Sequence, residues 1–408
     1  MNLSTVIVVS GLLLATVSIT STLTYDEERL ALKHFVTSDE RIRSHGYPVE
    51  SHTVETSDAY LLTLFRIPYS HKLNNQNAYR PAILLQHGLF SNSDCWLSSG
   101  PDNSLGYLLA DAGFDVWLGN ARGNIYSRGN SNITINNPKF WKFSWHEIGI
   151  YDISAMIDYI RDNTAQQAIH YAGHSQGTTV YLALMSTKSQ YNAKIKTAHL
   201  LAPCAFLANG RHVIFQLSQL IGNPDGLLYS VLENSELMPR NEYVNRIADT
   251  LCGQQPLLGE QCKDVVFWYA ADGYRNTNLT ALQVLLGSHP GGSSSNQGIH
   301  YLQLYKSHKF RQYDYGTKKN QQIYNQDTPP DYDLSKITAR TYSYSSANDG
   351  LCAPSDVDTM VENMPYLVED YRVPDQTWNH MDFIVGRQMK EVIHDRVLQT
   401  LKAFETFL

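Results

Sequence analysis

What the chain lacks narrows its chemistry first. It has no run of basic residues, and its 32 Lys and Arg are outnumbered by 39 Asp and Glu, giving a net charge of −7. Nucleic-acid recognition needs clustered positive charge, so that class is set aside. Cysteine is scarce, with five in 408 residues. There is no Cys-x-x-C pair and no spaced His/Cys cluster, so no metal site and no cofactor is expected. Charge is absent altogether from Met1 to Tyr25. Within that stretch Val6–Val17 is an apolar core, followed by the small residues Ser18, Thr20, Ser21 and Thr22. The pattern is that of a cleaved signal peptide over residues 1–22. The core is short for a bilayer span, and no later stretch approaches transmembrane length. The mature protein is expected in a lumenal or extracellular space, without a membrane anchor.

That compartment gives meaning to other residues. Asn132-Ile133-Thr134 and Asn278-Leu279-Thr280 are N-glycosylation acceptors. Cys252 and Cys262 share a Gly- and Gln-rich loop, and oxidising conditions favour their pairing. Cys95, Cys204 and Cys352 then remain, an odd number, so at least one free thiol is expected.

The chain is long enough for one large α/β domain carrying an inserted subdomain, and 43% apolar residues supply a sizeable core. His52–Ile67 alternates around a Ser57-Asp58 turn, a hairpin signature. Ala82–Gln86, Phe114–Leu118, Ala168–Ala172 and Ala198–Ala202 are short, continuously apolar runs, as in parallel strands covered on both faces. Helical patterns lie between them at Leu105–Ala112, Glu147–Asn163 and Gln176–Met185. A late strand is expected at Thr338–Ser345, then helices at Val357–Asn363 and Gln388–Phe407. Alternating strands and helices imply a doubly wound, mostly parallel sheet. Residues 204–330 break the rhythm with helical patterns and few strand signals, and are read as a mainly helical cap. The core would then be 23–203 and 331–408. Within the cap, Val213, Ile214, Leu217, Leu220 and Ile221 form an apolar helical face, expected to pack on the core.

Gly173-His174-Ser175-Gln176-Gly177 reads G-x-S-x-G. The pentapeptide alone arises by chance in roughly one such chain in seven. Its position between a strand and a helix is much rarer, and is the setting of a nucleophile elbow, a turn too tight for side chains beside the serine. A serine hydrolase on such a sheet orders its triad as serine, acid, histidine. Asp349 follows the late strand, while Asp356 and Asp358 fall in the next helix. His380 precedes the last helix, and His394 falls within it. The oxyanion donors are expected to be the amides of Gln176 and Leu89, the latter in Gln86-His87-Gly88-Leu89-Phe90. His87 and His174 are read as loop-shaping residues.

With these residues assembled, the chain resembles the acid lipase family, which includes gastric and lysosomal acid lipases. The resemblance rests on His87-Gly88-Leu89, Asn120-Ala121-Arg122-Gly123-Asn124, Phe143-Ser144-Trp145-His146-Glu147, His174-Ser175-Gln176-Gly177, Tyr313-Asp314-Tyr315-Gly316 and Trp378-Asn379-His380-Met381-Asp382-Phe383. It implies an α/β-hydrolase fold with a cap and mobile lid. It also implies a secreted or lysosomal serine lipase acting on triacylglycerols or steryl esters at an emulsion or membrane surface. It supports Ser175, Asp349, His380, Leu89 and Gln176 in their roles, and the Cys252–Cys262 pair. A carboxylesterase for shorter, soluble esters and a catalytically silent lipid-binding protein are the alternatives.

Overall fold

The computed structural model describes residues 36–406, except 222, 225, 240–272 and 274. The expected signal segment and the expected Cys252–Cys262 pair lie outside the described residues. The chain opens with a short helix, α1 (Ser38–Ser44), capped by Thr37 and Glu40 in a reciprocal capping box. Among the described residues eleven strands follow: β1 (Glu50–Glu55), β2 (Tyr60–Ile67), β3 (Ala82–Gln86), β4 (Asp115–Gly119), β5 (Gly129–Asn130), β6 (Ile169–His174), β7 (Ile195–Leu201), β8 (Glu236–Leu237), β9 (Ser293–Ser294), β10 (Thr341–Ser345) and β11 (Leu367–Arg372). The main sheet runs β1-β2-β4-β3-β6-β7-β10-β11, with β5 pairing β2. The β1–β2 and β2–β4 pairs are antiparallel, and every pair from β4 to β11 is parallel.

The period-2 rule of strands divides the core into two layers. Leu62, Leu64, Leu84, Trp117, Tyr171 and Leu200 face one side, with Ile153, Ile157, Val180 and Leu184. Phe65, Ile83, Leu85, Val116, Leu118 and Leu201 face the other, with Leu105, Leu109, Ile393, Val397 and Leu401. The covering helices are α2 (Leu105–Asp111), α3 (Ser154–Thr164), α4 (Gln176–Thr187) and a terminal helix at Asp395–Thr406. The continuous apolar runs are therefore strands buried on both faces, as expected.

Three elements differ from the sequence expectation. The helix expected over Glu147–Asn163 begins with a π-helical turn at Ile148–Ile153, where a Cβ on Gly149 would lie 2.8 Å from the Val180 carbonyl oxygen. The final helix likewise starts with a π-helical turn, Lys390–His394. Strand β11 is an edge strand on β10, and its adjacent acidic residues Glu369 and Asp370 masked it as a strand. Between β7 and β10 lie the helices α5 (Leu227–Leu232), α6 (Leu279–Leu286), α7 (Ser295–Ser307) and α8 (Thr317–Tyr324), with only the two-residue strands β8 and β9 among the described residues. Ile214, Phe215 and Ile221 pack against the main core.

One buried charge cluster ties the layers together. Arg122 is 1% exposed. Its guanidinium contacts both carboxylate oxygens of Asp58 in the β1–β2 turn (2.6 and 2.8 Å) and Asp152 in the π-helical turn (2.7 Å), over the Tyr60 ring at 3.9 Å. Burial pushes Asp152 up to about 6, although Arg122 draws it down. Arg122→Ala should cost roughly 3–5 kcal/mol in urea unfolding, because Asp152 is left buried without its partner. Adding Asp152→Asn should recover at least about 1 kcal/mol; no recovery would mean that packing, not charge, dominates.

A second polar chain crosses the sheet, from Glu405 through His170 and Thr197 to His199 and Tyr344, in contacts of 2.8–3.2 Å. Burial, then the neighbouring His170, lowers His199 to about 3 from its ordinary 6.5. The folded state accepts only the neutral ring. The unfolded chain therefore takes up the proton first, and this contribution to stability is lost as pH falls from about 6.5 toward 3. His199→Gln removes that slope. The stability advantage of wild type over the variant should shrink by about 2 kcal/mol between pH 6.5 and 5, read from paired denaturation curves.

Candidate active site

The site is built at the C-terminal edge of the sheet, where β6 passes into α4. Ser175 sits between them at φ 53°, ψ −119°, a conformation rare for a residue with a side chain. Its amide donates to the Leu201 carbonyl at 3.0 Å, and its carbonyl accepts from the Thr178 amide and hydroxyl (2.8 and 2.6 Å). Two glycines make the turn feasible. A Cβ on Gly173 would fall 2.6 Å from the Gly177 carbonyl carbon, and one on Gly177 only 2.3 Å from the Gln86 carbonyl oxygen. The Ser175 side chain makes no cap bond to α4, so the Gln176 amide stands at a helix N-terminus, the positive end of the helix dipole.

The loop after β3 lies against this turn. A Cβ on Gly88 would come within 3.0 Å of the Ser175 Cβ. His87 holds the loop: its Nε2 accepts from the Ala121 amide and the Asn124 side-chain amide, both at 3.1 Å. Its Nδ1 therefore carries the proton and donates to the Gly88 carbonyl at 2.8 Å. Burial lowers His87 to about 4. Leu89 follows directly, and the next residue, Phe90, takes positive φ; its carbonyl accepts from the Gly291 amide at 2.7 Å.

The acid and the histidine come from separate loops and meet. Asp349 and His380 are 1% and 3% exposed, and Asp349 Oδ2 lies 2.7 Å from His380 Nδ1. Asp349 Oδ1 accepts from the amides of Leu351 and Cys352 (2.9 and 2.8 Å). A carboxylate can only accept, so Nδ1 of a neutral His380 is the donor and Nε2 carries the lone pair. The His380 carbonyl accepts from His174 Nε2 at 3.0 Å, which sets the histidine loop beside the residue preceding Ser175. Burial, then His380, lowers His174 to about 3. Two bonds of 2.9 Å brace the loop: Asp382 Oδ2 accepts from the Asn379 amide, and Asn379 Oδ1 accepts from the Met381 amide.

The competing residues are engaged elsewhere. Asp356 binds the backbone and side chain of Asn209, Asp358 pairs with Arg372, and His394 contacts the Asn103 carbonyl. Asn132 is exposed, and Asn278 caps α6 through its Oδ1. Two features escaped the sequence reading. Gln176 Nε2 donates to Gln297 on α7 at 2.6 Å, and Cys204 and Cys352 form a disulfide, leaving Cys95 as the buried free thiol among the described residues. The sulfurs of Cys204 and Cys352 and a His380 ring nitrogen lie within 4.8 Å of one another. Bridged sulfurs are not thiolates, so only the nitrogen is a ready metal ligand there.

Comparison with known proteins agrees with this geometry. A family described as a partial α/β-hydrolase lipase region matches residues 38–100, and one described as the α/β-hydrolase fold matches 81–386. Lipase 3 of Drosophila melanogaster is 40% identical over 90% of this chain and 93% of its own. Human gastric triacylglycerol lipase is 34% identical (87% and 88% covered), and human lysosomal acid lipase/cholesteryl ester hydrolase 32% (88% and 89%). An α/β-hydrolase fold protein from Nakamurella multipartita superimposes at TM-score 0.50 and 12% identity, covering 87% of this chain and 99% of that one, a likeness of fold alone. An elbow serine, a buried Asp–His pair and full-length relatives of this kind place the chain in the lipase family of the α/β-hydrolases.

Proposed function

We propose that this protein is a serine lipase that hydrolyses esters of neutral lipids through an acyl-enzyme. The observation that carries the reading is the 2.7 Å contact of Asp349 with His380 Nδ1, in a loop pinned by His174 beside Ser175. Ser175 attacks the ester carbonyl as His380 Nε2 takes its proton. Asp349 holds the ring orientation and stabilises the imidazolium. The amides of Leu89 and Gln176 receive the tetrahedral oxyanion, and the α4 dipole adds to the field there. His380 then protonates the leaving alcohol, and water, activated by the same residue, releases the fatty acid.

The substrate class follows from the relatives, whose names specify triacylglycerol and cholesteryl ester hydrolysis. Residues 23–203 and 331–408 form the hydrolase core in this reading, and 204–330 the cap over the edge of the sheet where ligands bind in open α/β folds. The Gln176–Gln297 bond is one point where that cap meets the site. The same relatives support a secreted or lysosomal protein, and the sequence motifs assign residues 1–22 as signal peptide and Asn132 and Asn278 as glycan acceptors in this reading. No helix among the described residues is long and apolar enough to cross a membrane.

The test is fatty-acid release from emulsified long-chain triacylglycerol, a steryl ester and a soluble short-chain ester. Ser175→Ala should lower kcat by roughly 10⁴-fold or more on every ester turned over, and Asp349→Asn by about 10⁴-fold with KM little changed. Serine-dependent turnover of the soluble ester alone would replace the lipase with a carboxylesterase. No turnover at all would leave a lipid-binding protein.

A further inference from the structure

The Cys204–Cys352 disulfide joins two loops that have different tasks at the site. Strands β7 and β10 are parallel neighbours, in register from Ala198 with Thr341 to Leu201 with Tyr344. Each runs out at the C-terminal edge of the sheet, Cys204 three positions past one strand end and Cys352 seven past the other. The bridge closes the gap between them, at a Cα–Cα distance of 5.2 Å, and both residues are buried.

Its two ends are bonded toward opposite members of the triad. On one side, the Cys352 amide donates to Asp349 Oδ1 at 2.8 Å, while Oδ2 faces His380. On the other, the Cys204 amide donates to Thr178 Oγ1 at 2.9 Å, and that hydroxyl donates to the Ser175 carbonyl at 2.6 Å. The Thr179 hydroxyl closes the same turn by donating to the Cys204 carbonyl at 2.6 Å. Both sulfurs also lie within 4.8 Å of a His380 ring nitrogen, so the bridge forms part of the wall behind the imidazole. The acid loop has further backbone ties, from the Arg211 and His212 amides to the Gly350 carbonyl (2.8 and 3.1 Å), on the stretch of chain that follows Cys204.

We propose that the Cys204–Cys352 disulfide positions the triad, fixing the distance between the Asp349 carboxylate and the nucleophile turn. This rests on the assignment of Ser175, Asp349 and His380 above. A carboxylate at the end of a strand is free to shift with its loop, and a displacement of about 1 Å in a catalytic group costs about 10²-fold in rate. The covalent tie removes that freedom. Cys204 and Cys352 touch neither substrate nor reacting atoms; they act through Asp349 and the Ser175 turn. A staple serving stability alone would leave the kinetics of the folded enzyme unchanged.

The experiment is a double-mutant cycle on a soluble p-nitrophenyl ester, after non-reducing peptide mapping for a linked Cys204–Cys352 pair. Cys204→Ala with Cys352→Ala should lower kcat about 10–100-fold with KM within about twofold. In the Asp349→Asn background the same pair of substitutions should change kcat by less than about twofold, because the residue it positions has lost its charge. Thr178→Val keeps the bridge but cuts its tie to the nucleophile turn, and should lower kcat severalfold at unchanged KM; it serves where the double alanine variant does not fold. Free thiols at both cysteines, a kcat within twofold of wild type in either variant, or equal losses in both Asp349 backgrounds would overturn the proposal. Full activity of Asp349→Asn with the bridge intact would instead overturn the triad assignment, and the ground for this proposal with it.

Discussion

The backbone approach of α4 to β3 is the constraint on which the rest depends. Gly177 brings its helix so near the Gln86 carbonyl oxygen that a single Cβ would sit at 2.3 Å. Only then can β6 turn into α4 within one residue, and that residue must take the positive φ seen at Ser175. Such a conformation costs of order 1–3 kcal/mol and persists only where its surroundings over-determine it. Here they do: the Ser175 amide and carbonyl are both bonded, and β6, buried at every residue, lies between β3 and β7. The sheet thus serves as the rigid frame against which one strained residue is held.

The same logic explains which parts of the fold were legible. Ala82–Gln86 reads as a buried strand because five apolar or amide residues in a row suit a doubly covered sheet, and β3 has those bounds. The elbow was legible because its two glycines answer a local steric demand. Asp349 and His380 were found by chain order and by the elements flanking them, which is positional information that a sequence carries. β11 was missed because its adjacent Glu369 and Asp370 read as solvent-exposed loop, while its pairing comes from β10. The π-helical turns were missed because a 3.6-residue period cannot register one extra residue per turn.

The cysteines mark the limit more sharply. Proximity in sequence favours Cys252 with Cys262. Cys204 and Cys352 are separated by 148 positions, and only the adjacency of β7 and β10 in the sheet joins them. Strand order is a tertiary property, so no count or spacing reveals that pair. The Gln176–Gln297 contact was hidden for the same reason: its partners lie 121 positions apart in sequence.

The electrostatics of the site follow from what is kept neutral in it. His87 and His174 are both buried, His174 beside His380, and burial lowers them to about 4 and 3. Each is fixed in one tautomer by its bonds, His87 donating from Nδ1 and His174 from Nε2. In the proposed mechanism neither would compete, above about pH 4, for the proton that Ser175 gives up, nor repel the imidazolium formed on His380. A charged ring 5.0 Å away, the centroid separation of His174 and His380, would oppose that charge by several kcal/mol at the effective dielectric of a protein interior. The motif residues flanking the nucleophile are therefore histidines used as neutral hydrogen-bonding struts. Their burial leaves His380, alone of the three, beside a carboxylate that stabilises its positive charge.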